Sequence, residues 1–267
     1  MSEWKILLTD GLEENGQAIL RQFATVDNHS GISAEELLQV VGNYDAMIVR
    51  GRTKVTPAVF EAGKNLKVVG RAGVGVDNID LNAAKAKGVT VVNSPTATTI
   101  AVAELTLGLM LAVLREIPRA DAGMKTGKWL KKEMEGGELW RKTLGIIGFG
   151  RIGSAVAQRA SAFEMNVIAY DPLRTREEIE QRCGCSSTLD DLLEQSDIIT
   201  IHTPLNDTTR DLINADAFAK MKDGVYLICA ARGGVVNEEA LLAALESGKV
   251  AGAGLDVFAV EPPGVTP

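Results

Sequence analysis

The segment Thr143-Leu-Gly-Ile-Ile-Gly148-Phe-Gly150-Arg-Ile-Gly153 decides the fold of this 267-residue chain. It places the pattern G-x-G-x-x-G directly after an apolar run, and the amphipathic segment 152–163 follows it. This order predicts a strand, a glycine turn and a helix whose N-terminus binds a dinucleotide pyrophosphate. We expect Gly148 to allow the tight turn, Gly150 to let the pyrophosphate approach the backbone, and Gly153 to let the helix lie close to the strand.

An acidic residue, Asp171, ends the next apolar run 18 residues after Gly153. A carboxylate at this point accepts hydrogen bonds from the adenosine ribose and repels a 2′-phosphate, so the sequence predicts NAD rather than NADP as cofactor. Arg174 and Arg176 are evidence against this, because nearby arginines can hold that phosphate. We give Asp171 more weight because it stands at the strand end.

Short apolar runs alternate with segments of helical spacing along the whole chain, a pattern typical of buried parallel strands joined by helices. One long helical stretch, 99–119, separates two sets of strands, and Pro118 is expected to end it. The sequence therefore predicts an α/β protein with two doubly wound parallel sheets, in domains 1–96 and 97–267. The predicted strands are 6–9, 46–49, 66–69, 89–92, 144–147, 167–170, 198–201, 225–229 and 253–257.

The composition excludes several classes of function. A net charge of −7 argues against a nucleic-acid surface, which needs clustered Lys and Arg. Three cysteines, Cys183, Cys185 and Cys229, are too few and badly spaced for a disulfide framework or a zinc site, so we expect no metal. The N-terminus lacks the pattern of a signal peptide, and the apolar run 100–114 is shorter than the roughly 20 residues of a membrane span. We expect a cytoplasmic protein that binds neither membrane nor nucleic acid.

A second glycine cluster, Gly70-Arg-Ala-Gly-Val-Gly-Val-Asp-Asn78, differs from the dinucleotide pattern. Asn78 stands where the third glycine belongs, and no acidic residue ends the following strand. We therefore predict a strand-end loop whose N–H groups face a small anion.

Five sequence blocks follow one another along the chain: Gly70–Asp80, Leu144–Gly153, His202-Thr-Pro-Leu205, Ala231-Arg-Gly-Gly-Val-Val236, and Gly254-Leu-Asp-Val-Phe258 with Glu261-Pro262. In this order they resemble the D-isomer 2-hydroxyacid dehydrogenases, and the resemblance covers essentially the whole chain. It implies hydride transfer between NAD and a small 2-hydroxy acid, with a flavodoxin-like substrate domain and a Rossmann NAD-binding domain. Within the family the chain is most similar to the members that oxidise 3-phosphoglycerate in the first step of serine synthesis.

The resemblance also implies residue roles. Arg232 would grip the substrate carboxylate and polarise the reacting carbonyl, and Glu261 would pair with a catalytic histidine. Asp256 would position the nicotinamide carboxamide. Arg50 and Arg71 would supply positive charge for the substrate's carboxylate and phosphate. Further cofactor contacts would come from Val74, Arg151, Ile152, Thr203, Ala230 and Ala231, and further substrate contacts from Gly73, Val74 and Gly75.

The family's proton-transfer histidine is expected beyond Pro267, so the sequence looks like a C-terminally truncated enzyme. The histidines in the sequence are His29, in a polar loop, and His202, in a cofactor-side block. We expect neither to be catalytic.

Three alternatives to 3-phosphoglycerate oxidation stay open. Two are glyoxylate or hydroxypyruvate reduction and D-lactate-type activity, for which a second anchoring arginine would gain little. The third is a non-catalytic NAD(H)-binding module, against which the retention of Arg232 and Glu261 argues. The resemblance further implies a homodimer or a higher homo-oligomer, with helix 99–114, Trp129 and Trp140 as candidates for its interface.

Overall fold

A computed structural model describes residues 4–182 and 184–264 of the chain. Contacts between Cα atoms separate it into two compact units, which divide between Thr98 and Thr99. Each unit is built on one parallel sheet with helices in the connections, so the α/β class predicted from the sequence is confirmed.

The first unit holds a five-stranded parallel sheet in the order β2-β1-β3-β4-β5 within the described residues. This is the strand order of the flavodoxin-like doubly wound fold. A short 3-10 helix, Val41–Asn43, precedes the third strand. The elements are β1 (Trp4–Leu8), α1 (Glu14–Leu20), β2 (Ala24–Asn28), α2 (Ala34–Val40), β3 (Ala46–Val49), α3 (Pro57–Ala62), β4 (Val68–Arg71), α4 (Leu81–Ala86) and β5 (Thr90–Asn93).

The second unit holds a six-stranded parallel sheet in the order β11-β10-β9-β6-β7-β8 within the described residues. Its elements are α5 (Thr99–Leu114), α6 (Ile117–Lys125), β6 (Thr143–Ile147), α7 (Arg151–Ala162), β7 (Asn166–Tyr170), α8 (Arg176–Glu180), β8 (Cys185–Ser186), α9 (Leu189–Gln195), β9 (Ile198–Ile201), α10 (Ala215–Lys220), β10 (Val225–Cys229), α11 (Glu238–Glu246) and β11 (Val250–Leu255).

Apolar residues on both faces of the central strands explain why these runs form a buried sheet. In β6, Ile146 packs into the cluster that includes α5 and α7, while its neighbour Ile147 packs into the cluster that includes α9, α10 and α11. Ile198 and Ile199 of β9 divide between the same two clusters. Because side chains alternate along a strand, a strand covered on both faces is apolar throughout.

The helix ends follow local capping chemistry. Asn237 caps α11 by accepting the Ala240 amide. The capping interaction before α9 is made by Thr188, whose hydroxyl accepts the amide of Asp191.

The long helix predicted over 99–119 is two helices, and the expected role of Pro118 is wrong. α5 ends at Leu114, and Glu116 has a left-handed backbone with φ of 49°. Pro118 lies in the first turn of α6, where a residue without an N–H is tolerated because that turn has no intrahelical acceptor for it.

Candidate active site

The predicted dinucleotide site lies at the carboxyl edge of the second unit's sheet. β6 and β9 are neighbours there, although β7 and β8 lie between them in the sequence. The chain therefore reverses its direction of winding between β6 and β9, and such a switch point opens a crevice beyond the strand ends. Gly148 follows β6 and His202 follows β9, so the glycine turn lies at this crevice.

The three fingerprint glycines have different surroundings. Gly148 has φ of 90°, and a Cβ there would lie 2.8 Å from the His202 carbonyl oxygen. At Gly153 a Cβ would lie 2.1 Å from the Gly148 oxygen, so only glycine lets α7 approach the turn this closely. At Gly150 a Cβ would meet nothing within 4 Å. Two of the glycines are thus fixed by packing, and the middle one borders open space.

The N-terminus of α7 presents positive potential to that space. Gly150 is its N-cap and supplies no side-chain cap, so the first amides of this 12-residue helix keep their hydrogen-bonding capacity. Arg151 follows directly and is exposed, and its guanidinium makes no hydrogen bond or ion pair to any residue in 4–182 or 184–264. Ile152 is half-buried behind it. Backbone amides and a guanidinium together suit a pyrophosphate.

Asp171 directly follows β7 and is tied to the glycine turn. One carboxylate oxygen accepts the Phe149 amide at 2.8 Å, and the other accepts the Leu173 amide at 2.9 Å. Each oxygen retains a further lone pair for a ribose hydroxyl. The two arginines that argued for a 2′-phosphate are each paired with a glutamate: Arg174 with Glu178 and Arg176 with Glu180.

Two polar atoms beside the turn are buried without a partner in the described part of the chain: Thr203 Oγ1 and His202 Nδ1. The other ring nitrogen of His202 contacts Thr200 Oγ1 at 3.0 Å. Burial lowers the pKa of His202 to about 4, so its imidazole is neutral at physiological pH. Orphaned buried polar atoms are costly, and a ligand that bonds to them removes that cost. The sequence marked Thr203 but gave no signal for the His202 ring.

Arg232 lies on the loop that follows β10, at the same sheet edge. Its Nη1 donates to the Ala231 carbonyl at 2.7 Å, and Ala230 and Ala231 are buried at its base. A Cβ at Gly233 would lie 1.8 Å from the Phe258 carbonyl oxygen, so this loop touches the turn after β11. The role of Gly233 was missed, although the sequence Arg-Gly-Gly is a signal for close backbone approach.

The turn after β11 carries Asp256 and Glu261. The Asp256 amide donates to the Cys229 carbonyl at 3.0 Å, which joins the ends of β10 and β11, and its side chain is exposed. The exposed carboxylate of Glu261 accepts the Phe258 amide at 3.1 Å. Through Gly233 and Phe258, the structure brings together the two loops that bear Arg232 and Glu261.

In the first unit, Arg50 directly follows β3 and its backbone is held on both sides. Its amide donates to Asp10 Oδ2 at 2.7 Å, and its carbonyl accepts Asn78 Nδ2 at 2.9 Å. The exposed guanidinium makes no hydrogen bond or ion pair within residues 4–182 and 184–264. Arg50 was predicted from the sequence as a substrate contact, whereas Asp10 and Asn78 were not predicted.

Asp10 is a buried carboxylate whose side chain is 4% exposed. Burial alone would raise the pKa of this carboxyl, but hydrogen bonds from Thr53 and Arg50, with the Arg52 guanidinium, outweigh it and hold the pKa below its usual value. The carboxylate therefore stays ionised and anchors the backbone of the loop from Arg50 to Thr53. An acid at the end of β1 was the available sequence signal.

The glycine-rich loop after β4 folds closely on itself. The Arg71 guanidinium donates to the Ala72 carbonyl at 2.9 Å and passes over Gly73, where a Cβ would lie 1.4 Å from Nη1. Val74 and Gly75 are half-buried, and the Val74 carbonyl accepts Asn93 Nδ2. Gly73 therefore gives Arg71 the space for this conformation.

Among residues 4–182 and 184–264, no cluster of three or more His, Cys, Asp or Glu side chains could hold a metal ion. Cys183, considered with Cys185 in the sequence, lies outside the described residues. No helix in this part of the chain is both long and apolar enough to cross a membrane.

Comparison with known proteins decides the family. The sequence profile described as "D-isomer specific 2-hydroxyacid dehydrogenase, NAD binding domain" matches residues 107–266, more than half of the chain. The chain belongs to the D-isomer specific 2-hydroxyacid dehydrogenase family. The family resemblance inferred from the sequence is therefore confirmed, and so is the prediction of NAD as cofactor.

Relatives within the dehydrogenase family have different names. The chain is 49% identical over 260 residues to D-3-phosphoglycerate dehydrogenase of Archaeoglobus fulgidus, covering 97% of this chain and 49% of that protein. It is 46% identical over 266 residues to hydroxypyruvate reductase of Thermotoga maritima, covering 98% and 85%. The chain thus spans about half the length of the phosphoglycerate dehydrogenases it matches.

A solved dehydrogenase structure supports the same fold and cofactor. D-lactate dehydrogenase from Aquifex aeolicus, complexed with NAD and lactic acid, aligns with a TM-score of 0.82 and 34% identity, covering 95% of this chain and 77% of that one.

The residues at the crevice fit NAD. The open space at Gly150 and the free helix amides suit the pyrophosphate, and Asp171 suits the adenosine ribose. The Thr203 hydroxyl, which has no hydrogen-bond partner in the described part of the chain, could make a further polar contact to NAD at the same edge.

Proposed function

We propose that the protein oxidises a small 2-hydroxy acid to the 2-keto acid, with 3-phosphoglycerate as substrate and 3-phosphohydroxypyruvate as product, the first step of serine synthesis. The observation that carries the proposal is the placement of Arg232. It follows β10 at the same sheet edge as the NAD fingerprint, on a loop braced against the turn that bears Glu261. A carboxylate-binding group beside a nicotinamide cofactor suits a 2-hydroxy acid.

The reaction needs a hydride acceptor, a proton acceptor and a group that orients the acid. Bound NAD⁺ would supply the hydride acceptor for the carbon that bears the hydroxyl. Arg232 has a planar fork that can bind a carboxylate through two parallel hydrogen bonds, and its charge favours electron density on the adjacent carbonyl oxygen. The hydroxyl proton must pass to a base. In this proposal Glu261 is the partner of a histidine base and raises its proton affinity.

Neither histidine in the printed sequence suits the role of that base. His202 is already bonded to Thr200, and its pKa of about 4 makes it a weak proton acceptor. His29 is exposed in a loop of the first unit, next to the Asn28 side chain that bonds Ser30. The proposal therefore gives proton transfer to neither of them.

The exposed guanidinium of Arg50 is the reason to favour a phosphorylated substrate such as 3-phosphoglycerate. The exposed guanidinium of Arg50 has no partner among residues 4–182 and 184–264, and the Arg50 backbone is clamped by Asp10 and Asn78. In a chain of net charge −7, an exposed cation on a backbone held at this position suits an anionic group of the substrate. We propose that Arg50 and Arg71 bind the phosphate and carboxylate. Several relatives at 46–49% identity are named D-3-phosphoglycerate dehydrogenase.

A second candidate is the reduction of hydroxypyruvate or glyoxylate. It is favoured by the hydroxypyruvate reductase relative, of which this chain covers 85%. These substrates carry no phosphate, so a second anchoring arginine contributes little to their binding.

The deciding experiment is NADH consumption with 3-phosphohydroxypyruvate, hydroxypyruvate and glyoxylate, after NADH binding has been shown by calorimetry. We expect the phosphorylated acid to be preferred. Arg50→Gln should raise KM for the phosphorylated acid more than for hydroxypyruvate. Arg21→Gln, a surface arginine paired with Glu14, is the matched control. Equal turnover of all three acids, unaffected by Arg50→Gln, would contradict the choice of substrate.

We also propose that two copies of the chain associate through the surface formed by α5 and the segment after α6. Ile100 and Leu105 of α5 are exposed, as are Trp129 and Trp140. Large exposed apolar side chains on one element favour association. Light scattering should give a dimer that Trp129→Ser weakens, and a monomeric parent chain would refute the proposal.

A further inference from the structure

The turn after β7 contains both a carboxylate and a cation beside the expected adenosine ribose. The Arg174 amide donates to the Asp171 carbonyl at 3.2 Å, so the two residues share one turn. A guanidinium in this turn is the kind of group that binds a 2′-phosphate, through paired N–H donors. The position of Arg174 alone would therefore favour NADP.

Glu178 engages that guanidinium. Its Oε1 accepts Arg174 Nη1 at 3.1 Å, while its Oε2 accepts the Thr175 amide at 2.9 Å. In return, Thr175 Oγ1 accepts the Glu178 amide, which completes a capping box at the start of α8. The hydrogen bond from the Thr175 backbone holds the pKa of Glu178 below its usual value. The carboxylate is thus ionised and fixed from two directions, unlike a typical surface ion pair.

We propose that Glu178 is a specificity-determining residue that selects NAD over NADP. It keeps the Arg174 guanidinium along α8, and so removes the cation that a 2′-phosphate needs. Asp171 and Glu178 then act by different routes, because Asp171 repels the phosphate directly and Glu178 holds its potential counter-ion. This selection concerns cofactor binding alone and does not depend on which acid is the substrate.

The chain offers a matched control in the next ion pair. Arg176 donates to Glu180 at 2.7 Å with the same spacing of four residues. Glu180 makes no hydrogen bond to a backbone amide within residues 4–182 and 184–264, so its carboxylate is held by Arg176 alone. If the fixed carboxylate of Glu178 determines cofactor selection, neutralising Glu180 should not alter that selection.

The test measures the dissociation constants of NADH and NADPH for the 267-residue chain by calorimetry. Glu178→Gln is compared with Glu180→Gln, both in the parent and in an Asp171→Asn background where the direct repulsion is reduced. Glutamine can still accept the Thr175 amide in a capping box, so Glu178→Gln removes the charge and keeps the helix start. A triple variant, Asp171→Asn with Arg174→Gln and Glu178→Gln, removes the released cation.

We expect Glu178→Gln to shift the NADPH-to-NADH affinity ratio toward NADPH by about two- to fivefold, the range for one partly exposed ion pair. The shift should be absent in Glu180→Gln and lost in the triple variant. An unchanged ratio in both backgrounds would overturn the inference, as would an equal shift from Glu180→Gln or a shift that survives without Arg174. A parent chain that binds no NADH would overturn the cofactor site itself, and the inference with it.

Discussion

The fingerprint glycines predict a separation between stability and cofactor binding. In Gly153→Ala the new methyl would lie 2.1 Å from the Gly148 oxygen and 3.2 Å from Ile146 Cγ2. Relief of the first contact requires α7 or the turn to move by about 1 Å. Such overpacking of a close-packed interior costs about 1–3 kcal/mol. For a unit of this size, that lowers the thermal midpoint by about 2–12 °C.

Gly150→Ala is the matched variant. A methyl there meets no protein atom within 4 Å, and the backbone φ of −75° is ordinary for alanine. Alanine is a somewhat poorer N-cap than glycine but restricts the unfolded chain, so the free energy of unfolding should change by less than about 0.5 kcal/mol. The methyl occupies the space we assign to the pyrophosphate. Loss of one hydrogen bond to a charged phosphate, about 1.5–3 kcal/mol, weakens NADH binding about tenfold to a hundredfold.

Thermal unfolding and NADH calorimetry on the two variants test whether stability and cofactor binding are separated in this way. The structure requires Gly153→Ala to lose stability and Gly150→Ala to lose affinity at nearly unchanged stability. If Gly150→Ala bound NADH as tightly as the parent, the pyrophosphate would not lie at this turn. If Gly153→Ala melted with the parent, the close approach of α7 would be wrong.

Two further predictions concern polar side chains. Asn78→Ala removes the hydrogen bonds to the Arg50 and Thr53 carbonyls and should destabilise the first unit by about 1–2 kcal/mol in urea unfolding. The control Asn65→Ala removes one exposed hydrogen bond to the Gly42 carbonyl and should cost less. Equal losses in the two variants would show that the Asn78 hydrogen bonds stabilise the unit no more than an exposed one. Burial lowers the pKa of His202 from 6.5 to about 4. Between these pH values the unfolded chain binds a proton that the folded chain does not. The free energy of unfolding should therefore fall by up to about 3 kcal/mol as the pH drops from 6.5 to 4. Urea midpoints across that range should show a shallower loss in His202→Asn and the parent's loss in the exposed-site control His29→Asn, and an unaltered slope in His202→Asn would contradict the assignment.

The central strands were predictable because burial on both faces leaves a continuous apolar run. The predicted runs 198–201 and 225–229 coincide with β9 and β10, and the predictions for β6 and β7 each differ by one residue at the start. Two of the edge strands within the described residues lack this signal. β2 and β8 lie at the edges of their sheets, and both were missed because their residues are polar or few.

Glycines in β11 misplaced the last predicted strand, 253–257, relative to the observed Val250–Leu255. A Cβ at Gly252 would lie 2.6 Å from a methyl of Val113, and one at Gly254 would lie 3.2 Å from Leu109 Cβ. The strand has small residues because α5 packs directly on it. Intrinsic strand propensity counts glycine as unfavourable and so fails where a helix needs a close approach.

In the candidate site, too, residues placed by local sequence could be predicted, whereas contacts between distant parts of the sequence could not. Strand-end positions such as Asp171 and Arg232 follow from the sequence because parallel strands place their carboxyl ends at one edge. The clamp on Arg50 does not follow, because Asp10 is 40 residues away in the sequence and Asn78 is 28 residues away. Only the fold brings these three residues together.

The pairing of the two arginines near Asp171 with glutamates could have been predicted from the sequence. Arg174 and Arg176 counted as evidence for NADP, yet each has a glutamate four residues later, at the spacing that pairs side chains on one helix face. An arginine at or just before a helix start with such a glutamate is already partly neutralised before any ligand binds. Arg151 also begins a helix, but the residue four positions later is Ala155, and its guanidinium has no partner within 4–182 and 184–264. Whether a cation near a fingerprint serves the pyrophosphate or is held by the protein therefore depends on the residue one helical turn away, which is local information that the sequence contains.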